Sequence, residues 1–494
     1  MRLFCFVLTT GYVQASPADS VTLTILHTND MHAAFLPHEA TWVRETPRPI
    51  VGGFVELEFK VDSIRKAKKN VLLFDAGDVM TGTPISDYVY RDAEGGALFE
   101  MMNMIGYDAW AIGNHELDIS QANLLKLTKI ARFPALSANL VNTKNEFPLN
   151  NRDYVVFEKF GLRIGVFGLM SQGLYNLVNP NNLVGLKVLS PVETAQRIIE
   201  RIDPETDLII AITHQGVDED STLAESVSGL DVIVGGHSHT RLTRPKVVNN
   251  VIIVQAGTRC ENLGELEITV DNDRVVRHSG KLLQLWASEK RPQTKLSAFV
   301  DSIQTRIEKE YGRVLARLER DWIRGRGESN VGQFITDAQR EAAQAQVAFM
   351  NASGIRANVA AGPLTKLKLY EVLPFRNVLV TFQLSGRQLR GVLKHSLTNE
   401  EAVLFSGLEA TVRKNPDGTW SILDLTVGGR PVDDDRMYIC AASDFMVAQS
   451  KKYFGLEIRQ PVYSRLTVFQ AVEQAAQKAG TISGAVEDRI RIVN

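Results

Sequence analysis

Val21-Thr22-Leu23-Thr24-Ile25-Leu26 is followed at once by His27-Thr28-Asn29-Asp30-Met31-His32. An apolar, β-branched run that ends in imidazole, amide and carboxylate groups reads as a strand stopping at a loop rich in metal-ligating side chains. The join recurs four times. Residues 71–74 run into Asp75-Ala76-Gly77-Asp78, and residues 109–112 into Gly113-Asn114-His115-Glu116-Leu117-Asp118. Residues 208–212 run into Thr213-His214, and residues 232–234 into Gly235-Gly236-His237-Ser238-His239. In open α/β sheets ligands bind beyond the carboxyl ends of strands, so the five clusters are expected to converge.

Working outward, residues 163–169 and 251–255 are further strands, and amphipathic segments lie between the runs. Phe54, Leu57, Val61 and Ile64 recur at helical spacing and give way to Lys66, Lys68, Lys69 and Asn70, a basic C-terminus. Ser190-Pro191-Val192-Glu193 supplies a cap, a first-turn proline and a reciprocal Glu ahead of a helix over 195–202. Alternating strands and helices over residues 21–285 predict a layered α/β domain. Leu296, Phe299, Ile303, Ile307, Tyr311, Val314 and Leu318 then form one apolar stripe, preceded by Glu289-Lys290-Arg291-Pro292. That stripe predicts a single long helix linking two domains over residues 286–322. Residues 323–494 read as a mixed α+β domain, with a helix over 332–345 and strand-like pieces at 378–383, 408–412 and 437–441.

The chain has 494 residues, 44% hydrophobic and 23% charged, enough for two or three compact units. Lys and Arg number 55 against 57 Asp and Glu. This balance lacks the basic excess of a protein that holds a nucleic acid polymer. No apolar run reaches about 18 residues, so no membrane span is expected. Met1-Arg2, an apolar stretch and Val13-Gln14-Ala15 fit a secretory signal peptide over residues 1–15, and hence a periplasmic or secreted protein. A disordered or strand-like N-terminus is the alternative. Cleavage would leave Cys260 and Cys440, far apart in sequence; they either pair or are two buried thiols.

Taken singly the polar clusters stay ambiguous. Asp30-x-His32 also fits a turn, Asp75 a structural carboxylate, and Asn114-His115-Glu116 a helix cap. Gly235-Gly236 lets backbone approach a ligand closely. Six of nine histidines fall in these clusters, and with almost no Cys the donors suit Zn, Mn, Fe or Co rather than a thiolate site.

Asp30-x-His32, Gly77-Asp78, Gly113-Asn114-His115-Glu116, His214 and Gly236-His237-x-His239 resemble, in order, the motifs of calcineurin-like metallophosphoesterases. The variants Leu26–His32 and Gly113–Asp118 resemble the 5′-nucleotidase and 2′,3′-cyclic phosphodiesterase branch. The resemblance implies a four-layer α/β/β/α metallophosphoesterase domain, a long connecting helix and a C-terminal substrate domain. It also implies two divalent metal ions. Asp78 would bridge them, Asp30, His32 and His239 would hold one, and Asn114, His214 and His237 the other. His115 would protonate the departing oxygen, and Asp118 would orient its imidazole. Branch members vary at the His239 position; an imidazole there is chemically competent.

The C-terminal half is similar to the family's substrate domain. Asn351-Ala352-Ser353-Gly354-Ile355-Arg356 resembles a loop of polar substrate contacts at Asn351 and Arg356, and Leu373-Pro374-Phe375-Arg376-Asn377 the segment whose Phe stacks on a nucleobase. The resemblance implies that Asn377 is a further contact and Phe445 the second stacking aromatic, and Arg324 and Arg326, near Asn330, are candidates for additional phosphate contacts. After Phe445 the family's Gly-Gly-Asp-Gly loop is missing, and Lys451 stands where its acid would be. The expectation is a secreted two-metal phosphohydrolase that acts on small-molecule phosphoesters, with nucleoside 5′-monophosphates leading. Alternatives are a 2′,3′-cyclic phosphodiesterase, a nucleotide-sugar pyrophosphatase or a sulfur-ester hydrolase on the same scaffold. A non-catalytic binding protein is a further alternative.

Overall fold

The computed structural model describes residues 20–493 except 46, 151, 289–292, 326 and 399–401. The proposed leader, residues 1–15, and the Glu289–Pro292 segment lie outside the described residues, as does Arg326.

The N-terminal half is built on two six-stranded sheets. The first runs Arg274–Gln284, Asn262–Asp271, Val21–Thr28, Val71–Asp75, Ala109–Ala111 and Ala135–Leu136. The second runs Tyr154–Lys159, Leu162–Met170, Leu208–His214, Val232–Gly235, Val251–Val254 and Lys246–Val248. Leu23, Ile25, Leu72 and Phe74 of the first sheet meet Ile164, Val166, Ile210 and Ile212 of the second in a fully buried layer. Sheets covered on both faces read as near-continuous apolar runs, which explains these strands. The outer face of the first sheet is covered by helices Phe54–Ala67, Gly96–Ile105 and Gln121–Ile130. Helices Pro191–Ile202 and Val217–Ser226 cover the second. The result is the four-layer α/β/β/α architecture. Ser190 caps its helix by accepting from the Glu193 backbone N–H.

Register brings the clusters together. In parallel pairing Thr28 sits beside Asp75, Asp75 beside Trp110, Met170 beside His214, and Thr213 beside Gly235. The strands end level, so their loops leave from one edge.

The apolar stripe does not form one helix. Lys295–Tyr311 is helical, with Leu296, Val300, Ile303 and Ile307 packed into the core of the N-terminal half. Val314 and Leu318 instead lie in the strand Val314–Leu318, which pairs with Gly362–Thr365 and Thr481–Ile482. The chain leaves the helix at Gly312, a poor helix former. A stripe continued by i+3 and i+4 steps cannot by itself reveal a helix end followed by a short strand.

The C-terminal half is a separate α+β domain. Its five-stranded sheet runs Val403–Ser406, Val347–Asn351, Met437–Ser443, Val378–Ser385 and Val462–Thr467. The helix expected over 332–345 is Asn330–Ala342. Cys260 and Cys440 are both buried free thiols.

Candidate functional site

Five of the expected metal ligands have left-handed backbone: Asp30 (φ 49°), His32 (φ 47°), Asp78 (φ 57°), His237 (φ 77°) and His239 (φ 55°). Each costs on the order of 1 kcal/mol, and non-glycine residues cluster in this region where a site must aim side chains against backbone preference. Gly77 makes the packing possible. A Cβ there would lie 2.8 Å from both the Gly113 nitrogen and His214 Nδ1, and φ is +91°. At Gly236 a Cβ would lie 2.6 Å from the Ala76 carbonyl oxygen.

The donors converge in overlapping groups. Asp30, His32 and His239 offer ligand atoms within 4.8 Å of one another, as do Asp78, His214 and His237, and as do His32, Asp78 and His115. His32 Nε2 is 2.9 Å from His239 Nε2, and Asp30 Oδ1 is 3.3 Å from the latter. Asp78 Oδ2 and Asn114 Oδ1 each lie 3.2 Å from His214 Nε2.

This donor set fits cations. Asp30 Oδ1 is buried without a hydrogen-bond partner, a costly state for a carboxylate oxygen that a bound cation relieves. His214 Nδ1 faces the Ala76 carbonyl at 2.7 Å, and His32 Nδ1 faces that of Thr81 at 3.1 Å. Donation to those carbonyls leaves each Nε2 as a lone pair aimed into the cluster, the usual arrangement of a ligating imidazole. Asn29 Nδ2 and the His237 backbone N–H both donate to Asp30 Oδ2, fixing the carboxylate so that Oδ1 is the open oxygen.

The electrostatics keep both carboxylates ionised and His32 and His237 neutral, as ligands must be, while His214 has to give up a proton when a cation binds. Burial opposes ionisation of Asp30, but His239 and His214 outweigh it and hold its pKa down to about 2. Asp78 is likewise buried, yet His214 and His115 hold it well below the usual carboxylate range. Burial, then His239 and His115, push His32 well below its ordinary value; burial and His214 push His237 down to about 4. Burial disfavours a charged His214 too, but the Asp78 carboxylate wins and raises it to about 10.

His115 stands at the edge of the cluster. Its Nε2 is 3.8 Å from Asp78 Oδ2, and its Nδ1 is 2.6 Å from Asp118 Oδ2. Burial works against its protonation, but Asp118 and Asp78 more than compensate and raise its pKa. Thr81 Oγ1 donates to the same Asp118 oxygen at 2.7 Å.

A cavity of about 430 Å³ opens over the cluster between the two halves. Asp78, Asn114, His115, Asp118, His237 and His239 form its N-terminal wall; Asn351, Arg356, Phe375, Asn377 and Phe445 line the other side. Asp30, His32 and His214 lie beneath, buried. Phe375 stacks on His115, with centroids 5.9 Å apart and planes at 26°, and the Arg356 guanidinium carbon is 5.9 Å from the Phe375 ring. Phe445 packs instead against Tyr453, 6.0 Å away. Arg324 points its Nη1 at the Ile355 carbonyl, 3.4 Å away, and does not line this cavity.

One expected position is corrected. Lys451 is exposed and does not line the cavity; its neighbour Lys452 does, with Nζ 3.4 Å from the Asn176 carbonyl oxygen. The segment is helical, Asp444–Ala448 then Ser450–Phe454, so a one-residue step rotates a side chain by about 100°.

Sequence reasoning gave no role to Glu116, which is buried. Its two carboxylate oxygens accept the backbone N–H groups of Asp78, Val79, Met80 and Gly113, locking the Asp78 loop to the Asn114 loop. Its place inside the Gly113–Asp118 motif was the available signal. Asn179 and Asn182 were also missed. Asn182 Nδ2 donates to the Leu117 and Asp118 carbonyls, and Asn179 Nδ2 to Asp444 Oδ2 across the two halves. Nothing in their local sequence marks them.

Comparison with known proteins follows the same division. The calcineurin-like phosphoesterase family model matches residues 23–241, and the 5′-nucleotidase C-terminal domain model matches residues 311–456. Protein 5NUC of Lutzomyia longipalpis is 30% identical over 546 residues, covering 97% of this chain and 94% of that protein. The trifunctional nucleotide phosphoesterase protein YfkN of Bacillus subtilis is 28% identical, and this chain spans 35% of its length. The crystal structure of a 5′-nucleotidase precursor from Thermus thermophilus superposes with a TM-score of 0.81 at 28% identity, covering 96% of this chain and all of that one. With its paired sheets, its His/Asp/Asn donor cluster and its separate C-terminal domain, the chain belongs to the 5′-nucleotidase family of calcineurin-like phosphoesterases, metal-dependent hydrolases of phosphoric esters.

Proposed function

We propose that this chain hydrolyses the phosphate monoester of nucleoside 5′-monophosphates with two divalent ions, Zn, Mn, Fe or Co. The observation that carries the proposal is the His115–Asp118 pair, which borders both the donor cluster and the cavity. Asp78 would bridge the ions, with Asp30, His32 and His239 on one and Asn114, His214 and His237 on the other. Bound there, the ions would neutralise phosphoryl charge and ready a water for attack at neutral pH.

The chain's own groups do the rest. Arg356 would hold phosphoryl oxygens with its planar fork. His115, donating Nδ1–H to Asp118, would give its Nε2 proton to the departing oxygen. The Phe375 and Phe445 rings would take the base, each stacking contact contributing about 1–3 kcal/mol. Asn351 and Asn377 would supply polar contacts. Export is part of the proposal, supported by the charged-then-apolar stretch Met1–Ala15. Among the described residues no helix is long and apolar enough to cross a membrane.

A second reading, a more anionic ester such as a 2′,3′-cyclic nucleotide or a nucleotide-sugar pyrophosphate, is favoured by the ammonium of Lys452 in the cavity wall. Sulfur esters are open to the same residues. Chelator-stripped protein reloaded with Mn²⁺ or Zn²⁺ is expected to release phosphate from nucleoside monophosphates. Release from no nucleotide or aryl phosphate would leave the binding-protein alternative standing.

A further inference from the structure

The segment 373–377 carries Phe375 onto His115, and its next residue reaches across to the N-terminal half. Arg376 Nε and Nη2 lie 3.2 and 2.9 Å from Asp87 Oδ1, and Nη2 also contacts Glu94 Oε2. Both acceptors are anchored. The Glu94 backbone exchanges two 2.9 Å hydrogen bonds with the Asn123 carboxamide. Asp87 closes the 3₁₀ turn Pro84–Ser86, and Ser86 Oγ accepts from the Thr81 backbone N–H. Thr81 in turn faces His32 Nδ1 through its carbonyl and donates its hydroxyl to Asp118. A short chain of contacts therefore runs from Arg376 to the residues that orient His32 and His115.

We infer that Arg376 is a positioning residue: its fork on Asp87 and Glu94 is a breakable latch that seats Phe375 against His115 and draws the C-terminal half over the donor cluster. The physical grounds are geometry and exposure. A guanidinium shared between two carboxylates on separate segments fixes orientation as well as distance. Yet Arg376 is 51% exposed and its acceptors are 25% and 28% exposed, so the attraction is modest and is screened by salt. Such a contact holds a closed arrangement without trapping product. The loop would be held less well by Lys, which has no fork.

The kinetic part of this inference rests on the proposed phosphohydrolase reading; the distance part does not. Spin labels on Lys126→Cys and Lys394→Cys, both in opposite halves, report the separation of those halves; Cys5→Ser removes the thiol other than buried Cys260 and Cys440. Arg376→Ala is expected to broaden the distance distribution towards longer values. It should also raise KM for a nucleoside monophosphate about five-fold without lowering kcat in proportion, because the closed fraction falls. Arg376→Lys should fall between. Asp87→Ala with Glu94→Ala should reproduce the effect, and adding Arg376→Ala should change nothing further. High salt should shift the wild type towards the variant and leave the variant where it is. Unchanged distances, or changed distances with an unchanged KM, would overturn the inference. If no phosphoester is turned over at all, the functional reading fails and the distances alone decide the latch.

Discussion

His115 Nδ1 sits 2.6 Å from Asp118 Oδ2, three residues along the same 3₁₀ turn, and Thr81 holds that oxygen from the other side. An imidazole so held keeps its Nε2 towards the cavity. His115→Ala is expected to lower kcat by about 10²–10⁴-fold while leaving the two-ion metal content intact. Asp118→Asn should give an intermediate loss. Elemental analysis beside steady-state rates checks both. Loss of metal in His115→Ala would recast it as a ligand, an arrangement its place near His32 and Asp78 permits.

Removing the ions should be felt in stability as well as in rate. Asp30, His32, Asp78, His237 and His239 hold strained backbone around a buried, unpartnered carboxylate oxygen. Exhaustive chelation is expected to abolish turnover and lower Tm, and excess Mn²⁺ or Zn²⁺ to restore both. Ligand binding stabilises a fold by about 2.7 kcal/mol at a hundred times Kd. A melting curve indifferent to chelator would count against a metal-organised site.

Glu116→Ala should be more damaging than its lack of any substrate contact suggests. Its carboxylate serves four backbone donors in the loops that carry Asp78 and Asn114. Burial, with Asp78 nearby, raises its pKa to about 7, so the acid is already held at some cost. Leaving buried donors unpaired costs about 1–3 kcal/mol each, and a loss of at least about 3 kcal/mol by denaturant unfolding is expected. Glu116→Gln, which keeps one acceptor oxygen, should lose less.

These residues show what the chain made legible and what it hid. The strand ends and their ligand-type side chains stood next to one another in sequence, so convergence followed from the level ends of parallel strands. The apolar stripe through Val314 and Leu318 misled because both satisfy helical spacing, and that spacing does not reveal a strand in which Val314 is exposed, Leu318 is buried and the register shifts between Val314 and Ala316. Glu116 was hidden for a different reason. Its partners are backbone N–H groups up to 38 residues away, which have no side-chain signature. Asn182 and Lys452 were set by the facing of distant loops.

Lys451 and Lys452 provide a test of that facing. Lys452 lines the cavity and Lys451 is exposed. Lys452→Ala is expected to lower kcat/KM several-fold for substrates with a second anionic group, such as a nucleotide-sugar pyrophosphate, relative to a nucleoside monophosphate. Lys451→Ala should leave that ratio unchanged. Competition assays with paired substrates measure the ratio directly. Equal effects from both variants would mean that only overall charge matters.

Asp220 should make the fold more stable in mild acid than at neutral pH. It is wholly buried and accepts from Thr213 Oγ1 at 2.7 Å and Gln215 Nε2 at 3.0 Å through one oxygen, while the other has no partner. Burial raises its pKa from 3.8 to about 7 despite those two donors. The folded state therefore keeps a proton that the unfolded chain releases. The resulting stability is fully present below about pH 4 and is lost as pH rises through 7, by about 2–4 kcal/mol. Asp220→Asn retains an acceptor for Thr213 and Gln215 and cannot ionise. Unfolding free energies of the variant between pH 5 and 8 should therefore fall less steeply than those of the wild type. Parallel curves would show that Asp220 stays charged in the fold, and that the residues beside His214 are held by an ion and not by an acid.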